Sequence, residues 1–390
     1  MFFRNGRQNM ADLSTNTAHK NRQYGAELLR IVCMLMILTS HFFVHGKVLG
    51  TLKPMDVNFY ITWFIEACCY VMVNCFVLIT GYYQSAGRFR LHKLLLLWGQ
   101  IIATSSLIYA ALAVLGKVEF SLSGFIAACT PVTHSRYWFA TAYVILYMIS
   151  PLLNSALAKT TLKQHFTAVC ALFGVFVLLR NIFYPLDFEN LHGGYSYTSF
   201  IVLYVIGAYM MRAGTRLNHP LAKYFALSAV TALSRILLTL CYYKLSLPSV
   251  YLKMFMQYNS VTVVLASVCL FDFFVHLEVK SGLLQTTARV LAPFTFGVYL
   301  IHEQAELKPL IWEAVSPSSY ARSPSLYLHL AVTVILLFLS CSLLDGIRHG
   351  VSNLVGIPKL AKKLSDALTA WAGEITDSLY RRSTGKSDDR

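Results

Sequence analysis

The sequence predicts an all-α integral membrane protein with about ten transmembrane helices, and two observations lead to this fold class. First, 56% of the 390 residues are hydrophobic and only 13% are charged, with a mean hydropathy of +0.55, whereas soluble domains carry about 25% charged residues. Second, apolar segments recur at short intervals from about residue 28 to residue 346, with no long polar insert. One polytopic membrane domain is therefore the simplest organisation.

Ten apolar segments have the composition expected of membrane spans, and the charges around them give an orientation. If the N-terminus is cytoplasmic, most Lys and Arg residues fall on the cytoplasmic side, and an even number of spans returns the C-terminus to that side. The net charge of +15 then suits contact with anionic membrane lipid and does not indicate nucleic acid as a partner. The predicted spans are residues 28–46, 57–83, 92–115, 137–153, 166–184, 198–212, 221–243, 254–276, 287–303 and 326–346.

These segments divide the chain into three regions. Residues 1–22 are polar and predict a flexible cytoplasmic tail, and no cleavage site follows the first span, which we expect to remain as an anchor. Residues 23–349 form the transmembrane domain. Residues 350–390 predict a cytoplasmic tail with an amphipathic helix on the membrane surface, the alternative being a partner-binding or loosely ordered helix. The apolar residues of that helix are Leu360, Leu364, Leu368, Trp371, Ile375 and Leu379.

The cysteines of the chain predict no chemistry of their own. All nine are scattered, and most of them fall within apolar spans, where Cys behaves as a small hydrophobe. No spacing indicates a disulfide framework or a metal site. The sequence therefore predicts no metal and no tightly bound cofactor.

The first span, QYGAELLRIVCMLMILTSHFFVHG, carries three ionisable side chains. Arg30 and His41 are eleven residues apart, which on a helix is about 20° beyond three full turns and a rise of about 16 Å, so both lie on one face at two depths. Glu27 precedes Arg30 by three residues and can pair with it. His41 is either a neutral core histidine bonded to a backbone carbonyl or a hydroxyl, or a general base suited to neutral pH.

A second basic group opens the third span in the stretch GRFRLHK, which contains Arg88, Arg90 and Lys93. Guanidinium groups bind phosphate oxygens through two parallel hydrogen bonds, so the group is a candidate phosphate site on the cytoplasmic side. The alternative is the ordinary excess of positive charge on cytoplasmic loops. Arg30 is harder to explain in that way, because it stands within the apolar periodicity.

The predicted topology brings several polar residues to the level of His41, in the outer half of the bundle. A buried carboxylate requires a partner, and for Glu66 we expect Arg235 or His41. Trp138 is also explained by an aromatic belt at the membrane interface. Asp272, near the inner end of its span, is explained equally well as a mark of the membrane boundary. The candidate acceptor-binding residues are Glu66, Arg136, Trp138, Arg235 and His302.

The ordered set of apolar motifs resembles the bacterial acyltransferase-3 family of membrane O-acyltransferases. The motifs are ELLRIVCMLMILTSH, NCFVLITGYY, RYWFATAYVILYMISPLLN, FIVLYVIGAYMMR and FGVYLIHE, which together cover about residues 24–346. Members of the family have about ten transmembrane helices. They transfer acyl groups, commonly acetyl from acetyl-CoA, to sugars of cell-surface polysaccharides, lipopolysaccharides or small glycosylated molecules.

The resemblance implies roles for individual residues. His41 matches the catalytic histidine of the first helix, and Arg30 matches the arginine that supports the acyl-CoA side. Arg88 and Arg90 match the family's basic stretch at the third helix less closely, because its spacing varies. Glu27 stands where an Asp is common, and His302 occupies the late LIH position without an assigned role.

The sequence thus predicts a bacterial multi-pass plasma-membrane O-acyltransferase that uses acyl-CoA, most simply acetyl-CoA, as co-substrate. The acyl group passes to a hydroxyl of a carbohydrate or glycolipid acceptor, with His41 as base or transient acyl carrier. The chain either completes the transfer or hands the acyl group to a separate extracytoplasmic transferase. Two alternatives remain: a carrier or flippase for a lipid-linked sugar or small solute, for which the sequence offers no paired broken helices, and a sensor or structural membrane protein.

Overall fold

The computed structural model describes residues 5–134, 136–187 and 192–384, with side chains described between residues 24 and 376 of these ranges. Every regular element in this part of the chain is helical, and no strand occurs in it. The predicted all-α fold class is therefore confirmed. The predicted flexible tail of residues 1–22 lies outside the part described in full, although the backbone from Asn5 onward belongs to the first helix.

Seventeen α-helices occur in the described part of the chain. In order they are α1 Asn5–Val44, α2 Val48–Thr51, α3 Val57–Cys69, α4 Met72–Gln84, α5 Leu91–Val114, α6 Leu122–Cys129, α7 Trp138–Ala158, α8 Leu162–Phe173, α9 Arg180–Ile182, α10 Tyr197–Ala213, α11 Pro220–Leu245, α12 Val261–Val275, α13 Gly282–Leu291, α14 Thr295–His302, α15 Leu307–Val315, α16 Leu326–Leu354 and α17 Ile357–Thr384.

Seven helical segments of the described chain are long and apolar enough to cross a membrane. They cover Tyr24–Thr51, Val57–Gln84, Leu91–Val114, Trp138–Ala158, Leu162–Ile182, Pro220–Leu245 and Leu326–Leu354. Two shorter apolar helices, α10 and α12, coincide with two further predicted spans. The remaining predicted span, 287–303, is formed by α13 and α14. Each predicted span thus has a helical counterpart, while the count of ten and the orientation stay predictions.

Two of these segments are interrupted inside the bundle, which the sequence did not indicate. The segment 57–84 is broken at Tyr70 and Val71, between α3 and α4. The other break lies at Ala292–Phe294, where Pro293 cannot donate a backbone hydrogen bond and one tight turn separates α13 from α14. Residues at both breaks line the main cavity of the molecule. At Tyr70 and Val71 the backbone stays in the right-handed helical region, so this interruption is a local irregularity of one long helical segment.

Helix α1 lies at the centre of the bundle. It packs against α3, α4, α12, α13, α14 and α16, so its apolar side chains, such as Leu29, Cys33 and Leu38, are fully buried. Another stripe of α1, which includes Arg30, Met34, Ile37 and His41, faces a cavity. The steps of four, three and four residues keep these side chains on one face. The predicted placement of Arg30 and His41 on one stripe is confirmed.

Helices α4 and α10 pack backbone to backbone through two glycines. A Cβ on Gly81 would lie 2.3 Å from the Tyr204 carbonyl oxygen, and one on Gly207 would lie 2.5 Å from that of Leu78. Small residues at such crossings let helices approach closely in a membrane protein. Gly81 therefore serves helix packing, and Asn74 on the same helix is buried, donating to the Tyr258 carbonyl at 2.7 Å.

The C-terminal helix α17 packs against α5 and α16 through a face of small residues that includes the buried Ala361 and Ser365. Its larger apolar side chains point away from the bundle and are exposed. This arrangement agrees with a helix in the region where an amphipathic one is predicted. Its position on the membrane surface stays a prediction, and residues 385–390 of the tail lie outside the described ranges.

Candidate functional site

A cavity of about 1240 Å³ lies inside the bundle and follows the length of α1. Glu27 and Arg30 line one end of it, and His41, His45 and Leu49 line the other. A smaller cavity of about 440 Å³ shares Arg30, and also Ile79, Thr80, Leu97 and Tyr143, with the first. The two cavities are therefore adjacent, and Arg30 stands between them.

The smaller cavity is basic. Arg88, Arg90 and Lys93 line it together with Arg30, because the non-helical stretch before α5 carries the first two and the first turn of α5 carries the third. Arg30 is paired with Glu27, as predicted. Within the described ranges no carboxylate pairs with the other three cations. A cluster of cations without counterions suits a polyanionic ligand such as a phosphate chain.

At the other end of the main cavity His41 belongs to a cluster of titratable side chains. Its Nδ1 lies 2.9 Å from Nε2 of His302 and 3.2 Å from Oε1 of Glu303. Nε2 of His45, one turn further along α1, lies 3.1 Å from the same Glu303 oxygen. The other Glu303 oxygen is 3.3 Å from Nζ of Lys308. His41 is thus a member of a polar network and not an isolated core histidine.

The hydrogen bonds of this network assign the tautomer of His41. His302 Nδ1 lies 2.6 Å from the Val298 carbonyl oxygen, which only accepts, so this nitrogen carries the proton and Nε2 of neutral His302 accepts. Nδ1–H of His41 then donates to His302 Nε2, with Glu303 Oε1 3.2 Å away, which leaves the lone pair of His41 on Nε2. No described residue forms a hydrogen bond with that Nε2 atom. A histidine held in this way is oriented to accept a proton from a ligand in the cavity.

Three further members of the cluster, Glu303, His45 and Lys308, were not predicted from the sequence. Two signals were present: Glu303 directly follows the LIH motif, and His45 repeats His41 at a spacing of four residues, which places both on one helix face. Glu303 reaches the cluster because α14 ends at His302 beside α1. The LIH position, left without a role, is the nearest hydrogen-bonding neighbour of His41.

Glu66 lines the cavity but has a different partner from the one expected. Its Oε1 accepts a hydrogen bond of 2.7 Å from the Ser40 hydroxyl, and neither Arg235 nor His41 lies within ion-pair distance. Ser40 precedes His41 on α1, so Glu66 is still held beside the histidine cluster. The second oxygen, Oε2, is buried without a hydrogen-bond partner. The expected pairing of Glu66 with Arg235 or His41 was therefore wrong.

Trp138 and Arg235 also line the main cavity. The Trp138 ring stacks with Tyr258 at 5.9 Å between centroids and contacts Tyr195 at 4.5 Å. The Arg235 guanidinium lies over the Trp63 ring, 4.2 Å from its centroid, and donates to the Leu252 carbonyl. This part of the cavity thus combines aromatic faces with a cation.

The other two candidate acceptor residues do not line the cavity. Arg136 forms hydrogen bonds of 2.8 and 3.0 Å to the two carboxylate oxygens of Glu306. His302 is fully buried behind His41. Asp272 accepts from the Leu217 backbone N–H at 2.9 Å, so it joins a loop to α12 and has a structural contact beyond marking a boundary.

His41, His45 and Glu303 also form a set whose ligand atoms lie within 4.8 Å of one another, as in a divalent metal site. The prediction of no metal came from sequence spacing, and this set arises only in the fold. The Lys308 ammonium beside Glu303 already neutralises the carboxylate and disfavours a second cation. Oε1 of Glu303 is buried without a hydrogen-bond partner in the described part of the chain, and the absence of a bound metal stays a prediction.

These features together define a class of protein: a polytopic helical membrane protein with an internal site that joins a cluster of cations to an oriented histidine. The sequence model of the acyltransferase-3 family, described as an acyltransferase domain, matches residues 23–350, and the chain belongs to that family. The protein is therefore a membrane acyltransferase. No curated protein and no solved structure shows significant similarity to the chain.

Proposed function

We propose that the protein is an O-acyltransferase that moves an acetyl group from acetyl-CoA to a hydroxyl of a sugar in a cell-surface polysaccharide or glycolipid. The observation that carries the proposal is the pair of adjacent cavities, which leads from Arg30, Arg88 and Arg90 to His41. The positive-inside rule favours the cytoplasm for the basic end. The setting that fits is the cytoplasmic membrane of a bacterium.

The donor fits this cavity with its phosphates at the basic end. Arg88 and Arg90 provide unpaired guanidinium groups for the phosphates of CoA, and Arg30 stands where the two cavities meet. The uncharged pantetheine arm then follows the stripe of Met34 and Ile37 along α1. The rise from Arg30 to His41 is about 16 Å, so the arm brings the thioester toward the histidine half-way through the bilayer.

The geometry of His41 suits two mechanisms. In the first, Nε2 takes the proton of the sugar hydroxyl, the oxygen attacks the thioester carbonyl, and the CoA thiolate leaves and recovers the proton from the imidazolium. In the second, Nε2 attacks the thioester carbonyl and CoA leaves as a thiolate, which leaves an Nε2-acetylimidazolium with its proton still on Nδ1. The sugar hydroxyl then attacks the acetyl carbon, its proton passes to the CoA thiolate, and neutral His41 is restored. In both mechanisms His302 holds the ring through Nδ1, and the nearby Glu303 carboxylate stabilises positive charge on it.

The acceptor is placed at the end of the cavity that contains Glu66, Trp138 and Arg235. Aromatic faces suit the C–H groups of a sugar ring, and carboxylate and guanidinium groups suit its hydroxyls and charges. Arg136 and His302 are assigned a supporting role, because they contact Glu306 and His41 and not the cavity. A separate extracytoplasmic transferase is needed only if the acyl group leaves this site on another carrier.

The test is acetyl transfer by the purified full-length protein in lipid nanodiscs. Release of CoA and acetylation of glycans from the source cells, read by mass spectrometry, are expected for the wild type and lost in His41→Ala. His134→Ala is the matched control, because His134 is exposed and lies away from the cavity. Full acetyl transfer by His41→Ala would refute the proposal. Comparing surface glycans of wild-type and deletion cells identifies the acceptor.

A carrier or flippase for a lipid-linked sugar is the second candidate, and one observation favours it. Two interrupted helical segments, at Tyr70–Val71 and at Ala292–Phe294, have residues in the lining of the main cavity, and discontinuous helices form the binding sites of many transporters. A carrier of this kind exchanges substrate across proteoliposome membranes without acyl-CoA. Counterflow of a labelled sugar in the absence of acyl-CoA, with no acetylated product in its presence, would favour this candidate.

A further inference from the structure

Arg235 is a cation within a helix that is predicted to span the membrane. It lies on α11, within a candidate membrane span, and lines the main cavity. No carboxylate of the described ranges lies within ion-pair distance of its guanidinium. Its contacts are the Trp63 ring and the Leu252 carbonyl, and its Nε is buried without a hydrogen-bond partner. An unpaired charge of this kind is costly and marks a substrate pathway.

The contacts around Arg235 place it on the wall that leads to His41. Trp63, which carries the guanidinium, precedes Glu66 by three residues on α3, so the two share a helix face. Glu66 is hydrogen-bonded to Ser40, the neighbour of His41. The Arg235 guanidinium and Nε2 of His41 therefore belong to the same wall of the cavity. A ligand bound at Nε2 of His41 lies along the wall that contains Arg235.

The surrounding groups indicate the shape and charge of such a ligand. Trp138, Tyr258 and Tyr195 offer adjacent aromatic faces. Lys253 also lines the cavity without a carboxylate partner in the described part of the chain, which adds a second unneutralised cation near Leu252. Of the carboxylates that line the same cavity, Glu27 pairs with Arg30 and Glu303 with Lys308, while Glu66 accepts a hydrogen bond from the neutral Ser40 hydroxyl. The lining therefore carries more Lys and Arg side chains than carboxylates, and net positive charge is left for the ligand to neutralise.

We propose that the acceptor is an anionic sugar, whose phosphate or carboxylate group pairs with the Arg235 guanidinium while its ring packs on the Trp138 side of the cavity. This inference rests on the proposed function and names the acceptor class of that site. A planar guanidinium binds either anion through two parallel hydrogen bonds, which fixes the sugar in one orientation. The buried Glu66 Oε2, which lacks a partner, is placed to accept a bond from a hydroxyl of the same ring.

The test measures binding of three small probes to the full-length protein in detergent by isothermal titration calorimetry. The probes are methyl β-D-glucoside, methyl β-D-glucuronide and the 6-phosphate of methyl β-D-glucoside, so that a neutral ring, a carboxylate and a phosphate are compared on one scaffold. We expect one or both anionic probes to bind at least about tenfold more tightly than the neutral one, as for a hydrogen bond to a charged group. The stronger of the two identifies the anion.

Variants then assign the preference to Arg235. Arg235→Gln should reduce the preference to less than about twofold, and Arg235→Lys should keep part of it, because the charge remains while the planar fork is lost. Arg289→Gln is the matched control, since Arg289 is a guanidinium outside the cavity, and it should bind as the wild type does. The wild-type comparison stands even if Arg235→Gln does not fold.

Two outcomes overturn the inference: equal or absent binding of the anionic probes by the wild type, or an unchanged preference in folded Arg235→Gln. Failure of the proposed function has a different signature, because release of CoA from acetyl-CoA then shows no dependence on His41. His41-dependent release together with probe binding that ignores charge would leave the acyltransferase in place and remove only the anionic acceptor.

Discussion

At the residue scale, the hydrogen bond between His41 and His302 determines which nitrogen of His41 is available for chemistry. His302 Nδ1 donates a hydrogen bond to a backbone carbonyl. One carboxylate oxygen of Glu303 lies close to two histidines, and the other lies close to a lysine. Nδ1 of His41 is therefore held, and Nε2 faces the cavity. In the Ser-His-Asp triad, replacing the carboxylate that orients the histidine lowers kcat by about 10⁴-fold.

We predict that Glu303→Gln lowers kcat for acetyl transfer by about 10²-fold, because the amide neither orients His41 nor stabilises positive charge on it. The KM for acetyl-CoA should change by less than about threefold, since the residue is remote from the phosphate site. Steady-state CoA release measures both constants. The matched control is Glu313→Gln, an exposed residue of α15, and a drop in kcat no larger than in this control would contradict the role.

A second prediction concerns the role of Arg88 and Arg90, the two arginines before α5, in binding acetyl-CoA. Arg88→Gln and Arg90→Gln each remove one guanidinium group and should each raise the KM for acetyl-CoA by about tenfold or more. The effect on kcat should be smaller, because these charge-assisted hydrogen bonds to phosphate stabilise the bound donor and the transition state equally. Binding of CoA by calorimetry provides a second measure. Arg216→Gln is the control, since Arg216 does not line either cavity. Equal KM values in all variants would remove the phosphate site.

A third residue-scale prediction concerns metal ions. His41, His45 and Glu303 lie close enough together to bind a cation, but the Lys308 ammonium already neutralises the charge of the Glu303 carboxylate. We expect acetyl transfer to persist after treatment with EDTA and dialysis. Loss of activity that returns with added Zn²⁺ would show instead that the three side chains are metal ligands.

At the element scale, close packing of α4 on α10 fixes the wall that carries Met72, Val73 and Ile79 into the cavity. Gly81→Ala would place a methyl group 2.3 Å from the Tyr204 carbonyl oxygen, a clash with backbone that cannot move aside easily. We predict a loss of about 1–3 kcal/mol in the free energy of unfolding, typical of overpacking.

The control for this substitution is Gly99→Ala on α5, where a Cβ meets nothing within 4 Å. There the added methyl group should leave stability unchanged or raise it slightly, because alanine favours a helix over glycine. Thermal unfolding of both variants in detergent, followed by fluorescence, makes the comparison. Equal melting temperatures for the two variants would show that α4 and α10 separate enough to admit the methyl group.

The elements also show how far the sequence alone reaches. Hydropathy and helical periodicity placed a helix at every predicted span and put Arg30 and His41 on one stripe, because both properties are local. The interruption at Tyr70 could not be predicted in this way, because no proline or glycine lies next to it. Glu66 took Ser40 as its partner, and Glu303 reached His41, through contacts between helices far apart in the chain. Such contacts are set by tertiary packing, which no local pattern encodes.

At the scale of the whole molecule, the central position of α1 explains how one helix serves both substrates. Six neighbouring helices bury its apolar side chains, while one stripe stays open to the cavity over its full length. In the proposed reaction the basic end binds the phosphates of the donor, and the histidine end receives the hydroxyl of the acceptor. This arrangement keeps the phosphates at the surface, so that only the uncharged arm and the acyl group enter the bilayer, and it avoids burying phosphate charge.

Because the phosphate-binding end and the histidine end of the cavity are separate, we predict that a block in the middle of the cavity leaves donor binding intact. Ile37 lies between Arg30 and His41 on the open stripe. In Ile37→Trp the indole should fill the path of the pantetheine arm, so the rate of acetyl transfer should fall by about 10²-fold or more. The Kd for CoA should change by less than about tenfold, because the phosphates of CoA still reach the arginines. Leu35→Trp, two residues away and outside the cavity lining, is the matched control for the added bulk. Calorimetry with CoA and CoA-release kinetics on the same preparations separate the two effects. If Ile37→Trp transferred acetyl as fast as Leu35→Trp, the donor would have to reach His41 by another route, and the axis along α1 would not be the path of the acyl group.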